Sequence, residues 1–204
     1  DVELHYKAGG LYGEAIEKNV YRLAKAEEVA DNDAPKAHIG NPISFYETGD
    51  LKTFDEYSIL WAQDTISQVD FVNGFIESYG DPLGMKGAWE SLVNFKNMEA
   101  SNRTELISEN AQWFEDNSPV DKKFKKETVK GVSAKVITAA ILAGDCYPST
   151  PIGINLPNAN WIRADYGSKS VTIENITDAY DEAAMGNGFN QEFAYSDVEI
   201  ESMN

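Results

Sequence analysis

The sequence predicts an α+β fold in which mixed helices accompany a small β-core. Apolar residues recur at three- and four-residue spacing in some stretches and at every second residue in others. The two kinds of stretch do not alternate regularly along the chain, which disfavours a Rossmann-like sheet. With 204 residues, 42% of them hydrophobic, the chain can bury a core without disulfides or metal ions.

Helices are predicted where apolar residues recur at helical spacing between charged ones. The stretch 11–30 shows this pattern with Leu11 and Ile16 on its apolar side. Asp50 is placed to cap a second helix, and Asn102 with Glu105 forms a capping pair for a third. The predicted helices cover residues 11–30, 51–63, 103–115 and 178–184, with a helical turn at 158–166. Residues 31–41, which include Pro35 and Gly40, are predicted to form a loop.

Strands are predicted where side chains alternate or β-branched residues cluster. From Val69 to Tyr79 every second residue falls on one face, and Gly80 with Pro82 ends the run. Gly153 lies in a short run flanked by prolines, a pattern typical of an edge strand. The predicted strands are 69–79, 151–156, 169–173 and one within 89–95, while 135–143 fits either a strand or a buried helix.

The net charge of −17, from 34 acidic and 17 basic residues, limits the possible partners. Nucleic acid and anionic membrane surfaces both need basic protein surfaces, so neither is expected as a partner. The longest apolar run is far too short to span a bilayer, so we expect a soluble protein, with the cytoplasm slightly favoured over the periplasm. The charge could attract peptide amino termini or serve solubility alone.

Most familiar catalytic motifs are absent from the sequence. There is no glycine-rich nucleotide loop, no nucleophile elbow and no H-E-x-x-H arrangement. We interpret the single cysteine, Cys146, as a small buried hydrophobe and not as a nucleophile. We interpret His5 and His38 as surface or capping residues and not as metal ligands. No metal site is therefore predicted within this chain.

The first candidate binding stretch surrounds Glu77. On a strand, Glu77 and Tyr79 would share one face with Phe75, so the carboxylate would lie beside apolar surface and need a partner. A ligand ammonium could supply that partner, and so could a lysine or arginine of this chain. The Tyr79 hydroxyl could donate a hydrogen bond to a ligand oxygen.

The second candidate stretch contains Gly153, Asn155 and Asn158. A glycine in an edge strand allows another backbone to approach closely, and a guest peptide could pair with the free edge. The two asparagines offer amide groups for the ends of a ligand. An ordinary loop with asparagine turn residues would explain the same pattern.

These two stretches also resemble the dipeptidyl peptidase III family, zinc-dependent exopeptidases that remove dipeptides from peptide amino termini. The resemblance covers most of the chain, and the matching residues are Trp61–Asp64, Gly74–Tyr79, Asp81-Pro82, Gly153–Asn158, Arg163, Ser170-Val171 and Asn175-Ile176. It implies that Glu77, Asn155 and Asn158 hold the amino terminus of the substrate. It further implies that Tyr79 is catalytic, stabilising the oxyanion, and that the peptide adds as a strand beside Gly153.

The resemblance also implies a two-lobed peptidase with an interlobe cleft. Residues 1–97 and 139–184 would belong to the β-core, substrate-binding lobe, and residues 98–138 and 185–204 to the helical, zinc-binding lobe. The zinc motif of the family, H-E-x-x-G-H, is absent here, and zinc needs about three protein ligands. We therefore expect an internal segment that ends before the zinc motif, with the zinc ligands in the remainder of the parent chain.

Three functional hypotheses follow. In the first, the chain is the substrate-binding portion of a dipeptidyl peptidase III-like enzyme acting on short peptides, and is inactive alone. In the second, it is a non-enzymatic peptide-binding module or an inactive homologue, which the missing zinc ligands favour. In the third, it is a structural domain in which the motifs only pack.

Overall fold

The computed structural model describes residues 4–30, 33–77, 79, 81, 83, 85, 87–130, 132–188 and 192. Its helices are α1 (Gly13–Val29), α2 (Asp33–Thr48), α3 (Leu51–Gln63), α4 (Met98–Glu109), α5 (Ala111–Asn117), α6 (Asn160–Asp165) and α7 (Glu174–Ala184), with a 3-10 turn at Lys122–Phe124. Its strands are β1 (Val69–Gly74), β2 (Glu90–Lys96), β3 (Val132–Gly144), β4 (Gly153–Leu156) and β5 (Ser168–Ile173). The predicted α+β class is confirmed.

The five strands form one sheet in the order β1-β2-β3-β5-β4. All neighbours are antiparallel except β3 and β5, which run parallel. The short strand β4 lies at one edge, as predicted from its flanking prolines, and β1 lies at the other. The sheet curls, so that Val72 of β1 and Leu156 of β4 pack in one cluster with Tyr57 and Trp61 of α3.

Two further clusters complete the core. Helices α1 and α2 pack together through Ile16, Leu23, Ile39, Phe45 and Tyr46. Within the sheet, Leu92, Ile137, Val171 and Ile173 form the third cluster. Burial of apolar surface at about 25 cal/mol per Å² makes these clusters the main source of stability. Among the described residues, no helix combines the length and apolarity needed to cross a membrane.

The predicted loop at 31–41 is wrong, because α2 begins at Asp33. Pro35 falls in the first turn of the helix, where a backbone N–H has no partner within the helix and its loss costs little. Gly40 faces α1, since a Cβ placed there would lie 3.1 Å from Glu27 Oε1. Gly40 therefore suits a helix packed closely against its neighbour, and a proline in the first turn does not break the helix.

The predicted strand 69–79 is too long, because β1 ends at Gly74. This glycine has a φ of 154°, and a Cβ there would lie 3.1 Å from Phe54 Cε2. The chain therefore turns after Gly74, and Glu77 and Tyr79 do not share a strand face. The predicted stop at Gly80 and Pro82 lies outside the described residues.

The predicted helix at 103–115 is two helices. α4 begins five residues earlier than predicted, because Asn97 caps it by accepting a hydrogen bond from the Ala100 N–H at 3.0 Å. Asn102, the predicted cap, lies inside the helix. α4 ends at Glu109 and α5 follows Asn110, whose side chain donates to the Leu106 carbonyl at 2.8 Å.

The other elements agree more closely with the sequence. Asp50 caps α3 as predicted, accepting from the Lys52 N–H at 2.9 Å. Residues 135–143 form part of β3, which settles the choice between strand and helix. The predicted boundary between lobes at 138–139 falls inside this strand, and most of the segment 185–204 lies outside the described residues. The assignment of residues to two lobes therefore stays a prediction.

Candidate functional site

A cleft of about 660 Å³ opens where the chain leaving β1 faces the edge strand β4. All five residues singled out from the sequence line it: Glu77, Tyr79, Gly153, Asn155 and Asn158. The two stretches lie about 80 residues apart in the chain, and the curl of the sheet brings them together.

The two stretches meet directly through Glu77 and Asn158. The Asn158 Nδ2 donates to Glu77 Oε2 at 3.0 Å and to the Ile76 carbonyl oxygen at 3.4 Å. Among the lysines and arginines that the structure describes, none has a side-chain nitrogen within 4.0 Å of the Glu77 carboxylate. In this part of the chain the partner of Glu77 is therefore an amide, which leaves its negative charge unneutralised.

Tyr79 reaches the cleft from an exposed position. Its side chain is 91% exposed, in contrast to the half-buried Glu77. The sequence argument placed Tyr79 on a strand face beside Glu77, but both residues follow the end of β1. The turn after Gly74, and not the alternation of a strand, brings both side chains to the same cleft.

Strand β4 forms the opposite wall of the cleft. Gly153 and Asn155 are exposed, whereas Leu156 is buried against α3 and β1. Among the strands that the structure describes, β4 pairs with β5 alone, so its outer edge has backbone groups that none of these strands pairs with. Such an edge can accept an additional strand.

The close backbone approach predicted at Gly153 comes from β5. A Cβ on Gly153 would lie 2.8 Å from the Val171 carbonyl oxygen, closer than real Cβ contacts allow. The glycine is therefore required by packing within the sheet, whatever else pairs with the outer edge.

Substituting Gly153 with alanine should consequently lower the free energy of unfolding by about 1–3 kcal/mol, because β4 or β5 must shift. Gly13→Ala is the matched control, since a Cβ there meets nothing closer than 3.7 Å and alanine favours the helix. Denaturant unfolding of both variants measures the difference, and equal stabilities would contradict the steric account.

Sequence reasoning missed a second carboxylate in the cleft, Glu90. The Cys146 Sγ donates to Glu90 Oε2 at 3.5 Å, and both residues line the cleft. Burial raises the pKa of Glu90, and the nearby carboxylates of Glu77 and Asp145 raise it further against the opposing effect of the Cys146 hydrogen bond. The sequence contains many glutamates, and no motif around Glu90 distinguishes it from the others.

Cys146 is buried, as predicted from the sequence. Burial and the adjacent Glu90 carboxylate raise the pKa of its thiol to about 12. A thiol with this pKa stays protonated at neutral pH, and the thiolate is the nucleophilic form. The structure thus supports the interpretation of Cys146 as a small apolar residue.

A buried polar cluster lies between β1, β5 and α3. Lys169 is 3% exposed, and its Nζ contacts Asp70 Oδ2 at 3.0 Å and lies 4.3 Å from the centre of the Trp61 ring. The Trp61 Nε1 donates to Asp70 Oδ1 at 3.1 Å. The cluster joins β1 to β5, which holds β4 in place beside it.

His38 belongs to this cluster, so the prediction of a surface or capping histidine is wrong for this residue. Only 1% of it is exposed, because α2 is a helix that places it against α3 and β1. Its Nδ1 lies 3.4 Å from Asp64 Oδ2, and its Nε2 lies 3.8 Å from Asp70 Oδ1. Burial lowers the pKa of His38, and the two carboxylates oppose that effect.

Within the described ranges, no three His, Cys, Asp or Glu side chains are grouped so that they could hold a metal ion. Zinc sites in proteins use at least three such ligands. The residues described for this chain therefore do not fit zinc.

Comparison with known proteins assigns the chain to a family. The profile of peptidase family M49 matches residues 2–195. The chain is 31% identical to dipeptidyl peptidase 3 of Dictyostelium discoideum over 170 residues, 82% of this chain and 24% of that protein. It is 29% identical to dipeptidyl peptidase 3 of Homo sapiens over 167 residues, 82% of this chain and 22% of that protein. The chain thus spans about a quarter of the length of these relatives.

The fold also has a counterpart among solved structures. DPP III from Caldithrix abyssi superposes with a TM-score of 0.74 at 24% identity, covering 84% of this chain and 33% of that one. The resemblance identified from the two sequence stretches is confirmed. Since the family profile matches nearly the whole sequence, the chain belongs to peptidase family M49.

Proposed function

We propose that the cleft binds the amino terminus of a short peptide, and that this chain is the substrate-binding portion of a zinc-dependent dipeptidyl peptidase. The observation that carries the proposal is the contact at 3.0 Å between Glu77 and Asn158 in a cleft bordered by the free edge of β4. Membership of peptidase family M49 supports a peptide as the ligand.

The geometry suits an ammonium group. An ammonium has three N–H donors and no acceptor, so it needs three oxygen partners. The Asn158 Nδ2 faces Glu77, which leaves Asn158 Oδ1 available to accept from the ligand. Glu77 supplies the negative charge, and Asn155 on the adjacent strand supplies the third oxygen. A charge-assisted hydrogen bond of this kind contributes about 1.5–3 kcal/mol.

The edge of β4 then sets the direction of the peptide. Backbone pairing along an edge strand orients a guest chain whatever its side chains, which suits an enzyme that accepts many peptides. Two residues in extended conformation span roughly 7 Å from the held ammonium. In the proposed arrangement Tyr79 lies near the second carbonyl group and donates a hydrogen bond to the oxygen on which charge develops. The fixed distance between the ammonium site and Tyr79 would define the dipeptide product.

In this proposal, zinc binding and peptide hydrolysis are properties of the whole parent protein. The described residues contain no group that could hold a metal, and in this proposal the zinc ligands lie in the remainder of the parent chain. When bound, zinc supplies the activated water and the Lewis acid for hydrolysis. We propose that residues 98–138 and 185–204 contribute to the helical zinc lobe and that the remainder of the parent chain completes the cleft. This chain alone would bind peptide without hydrolysing it.

Calorimetry on the full-length protein tests the proposal with a short peptide and its amino-acetylated twin. Acetylation removes the positive charge and two donors, so we expect it to weaken binding by roughly 30-fold, which corresponds to about 2 kcal/mol. Equal dissociation constants for the two peptides would refute recognition of the amino terminus through Glu77, Asn155 and Asn158.

The alternative function is a peptide-binding protein without peptidase activity, which the absence of a metal group among the described residues favours. Peptide hydrolysis by the full-length protein, measured with and without a zinc chelator, separates the two. Loss of dipeptide release on chelation supports the peptidase. Tight amino-terminal binding with no dipeptide release in any condition supports the alternative.

A further inference from the structure

A buried hydroxyl connects the two segments that carry Glu77 and Glu90, the two carboxylates of the cleft. Tyr46, in α2, is completely buried. Its hydroxyl donates to Asn73 Oδ1 and accepts from the Trp89 Nε1 at 2.9 Å. Asn73 lies near the end of β1, four residues before Glu77, and Trp89 directly precedes Glu90.

Asn73, the β1 residue that contacts the Tyr46 hydroxyl, also exchanges hydrogen bonds with a residue of α1. Asn19 of α1 donates to Asn73 Oδ1 at 3.1 Å, and Asn73 Nδ2 donates back to Asn19 Oδ1 at 3.3 Å. Burial raises the pKa of Tyr46 far above neutrality, so the hydroxyl keeps its proton and remains a donor. Asn73 is thus held from two helices, immediately before the chain turns at Gly74.

The position of the segment beyond Gly74 depends on side-chain contacts of this kind, because the strand has ended. The last rung between β1 and β2 pairs Gly74 with Glu90, and among the described residues the ladder does not continue beyond it. Farther along, the ring of Phe75 stacks on Tyr6 at a centroid distance of 4.5 Å, and the Tyr6 hydroxyl accepts from the Gly87 N–H at 2.8 Å. Together with the Gly74–Glu90 rung and the contacts of Tyr6, the hydroxyl of Tyr46 ties the start of the Glu77 segment to the start of the Glu90 segment.

We propose that Tyr46 is a positioning residue for peptide binding, which fixes Glu77 relative to Glu90 without touching the peptide. The inference rests on the proposed function of the cleft. Only a group that donates and accepts at the same time can satisfy both Asn73 Oδ1 and Trp89 Nε1, and a phenol does so. Phenylalanine would fill the same space and leave Trp89 Nε1 without this acceptor.

The test compares Tyr46→Phe with Tyr57→Phe in the full-length protein. Tyr57→Phe is the control, because it also removes a hydroxyl from a buried tyrosine. Tyr57 is 3% exposed, and its hydroxyl donates to the backbone carbonyl of Phe71 at 3.3 Å. We expect both variants to lose some stability. Only Tyr46→Phe should raise the Kd for a peptide with a free amino terminus, by about fivefold. In a peptidase assay the change should appear in KM, with kcat kept.

Trp89→Phe removes the same hydrogen bond from its other end and should give the same loss of affinity. Combined with Tyr46→Phe, it should add little, because both changes break the hydrogen bond between Tyr46 and Trp89. If Tyr46→Phe does not fold, Trp89→Phe decides the question with the same two peptides.

The outcomes separate the inference from the proposed function. If the wild-type protein binds free and acetylated peptides equally, the proposed function fails and this inference with it. If the wild-type protein discriminates, but Tyr46→Phe and Trp89→Phe bind the free peptide as tightly as Tyr57→Phe does, the positioning role alone is overturned.

Discussion

Substituting Glu77 with glutamine should weaken the binding of a short peptide by roughly 30-fold, the largest effect on binding that we expect from a single substitution. Glutamine keeps the size of the side chain and can still accept a hydrogen bond, so the loss reports the charge. Among the described residues, the Glu77 carboxylate accepts a hydrogen bond from the Asn158 amide and has no lysine or arginine nitrogen within 4.0 Å. A ligand ammonium would supply the missing positive charge.

Isothermal titration with the full-length protein measures this effect, and Glu56→Gln serves as the matched control. Glu56 is an exposed residue of α3 that does not line the cleft, so its substitution removes the same charge from the protein elsewhere. A control variant with the same loss of affinity would show that overall charge, and not the contact at Glu77, attracts the peptide. With the acetylated peptide, the wild-type protein and Glu77→Gln should bind alike.

Replacing Lys169 with methionine should lower the free energy of unfolding by about 3 kcal/mol, the largest stability effect that we expect from a single substitution. Methionine fills a similar volume, but it leaves the Asp70 carboxylate without its cation in a largely buried position. The contact over the Trp61 ring is lost as well. Removing one member of a buried ion pair is costly because the other charge stays uncompensated.

A double-mutant cycle with Asp70→Asn distinguishes the ion pair from simple packing. Asparagine removes the charge and still offers an oxygen to the Trp61 Nε1, so the double variant should be clearly less destabilised than the sum of the single variants. Lys52→Met, at an exposed lysine of α3, is the control and should stay within about 0.5 kcal/mol of the wild type. Additive single effects would contradict the uncompensated-charge explanation.

These two predictions concern residues that were found in different ways. Glu77 was identified in the sequence because a carboxylate beside apolar residues needs a partner. The sequence analysis placed Lys169 in a strand and nothing more. No pattern in the sequence indicates that its ammonium group in β5 contacts Asp70 in β1. Local patterns identify a residue that is unusual in its own segment, whereas contacts across about 100 positions require the fold.

The errors in secondary structure have the same origin. Pro35 and Gly40 predicted a loop, yet α2 forms because the helix buries Ile39, Phe45 and Tyr46 against α1. Local propensity is a weak guide when tertiary packing can outweigh it. The predicted strand through Tyr79 failed for a related reason, because alternation continues in the sequence after the hydrogen-bonded ladder with β2 has ended at Gly74.

The sequence by itself determined the α+β class, the edge position of β4 and five of the residues that line the cleft, because each leaves a local signature in periodicity, flanking prolines or motif. Only the tertiary structure decided that the chain turns after Gly74, that Glu90 joins the same cleft, and that Tyr46 and Lys169 hold the strands around it. Those features depend on hydrogen bonds and charges between segments distant in the chain, and the pattern of any one segment contains no information about the partner it will meet.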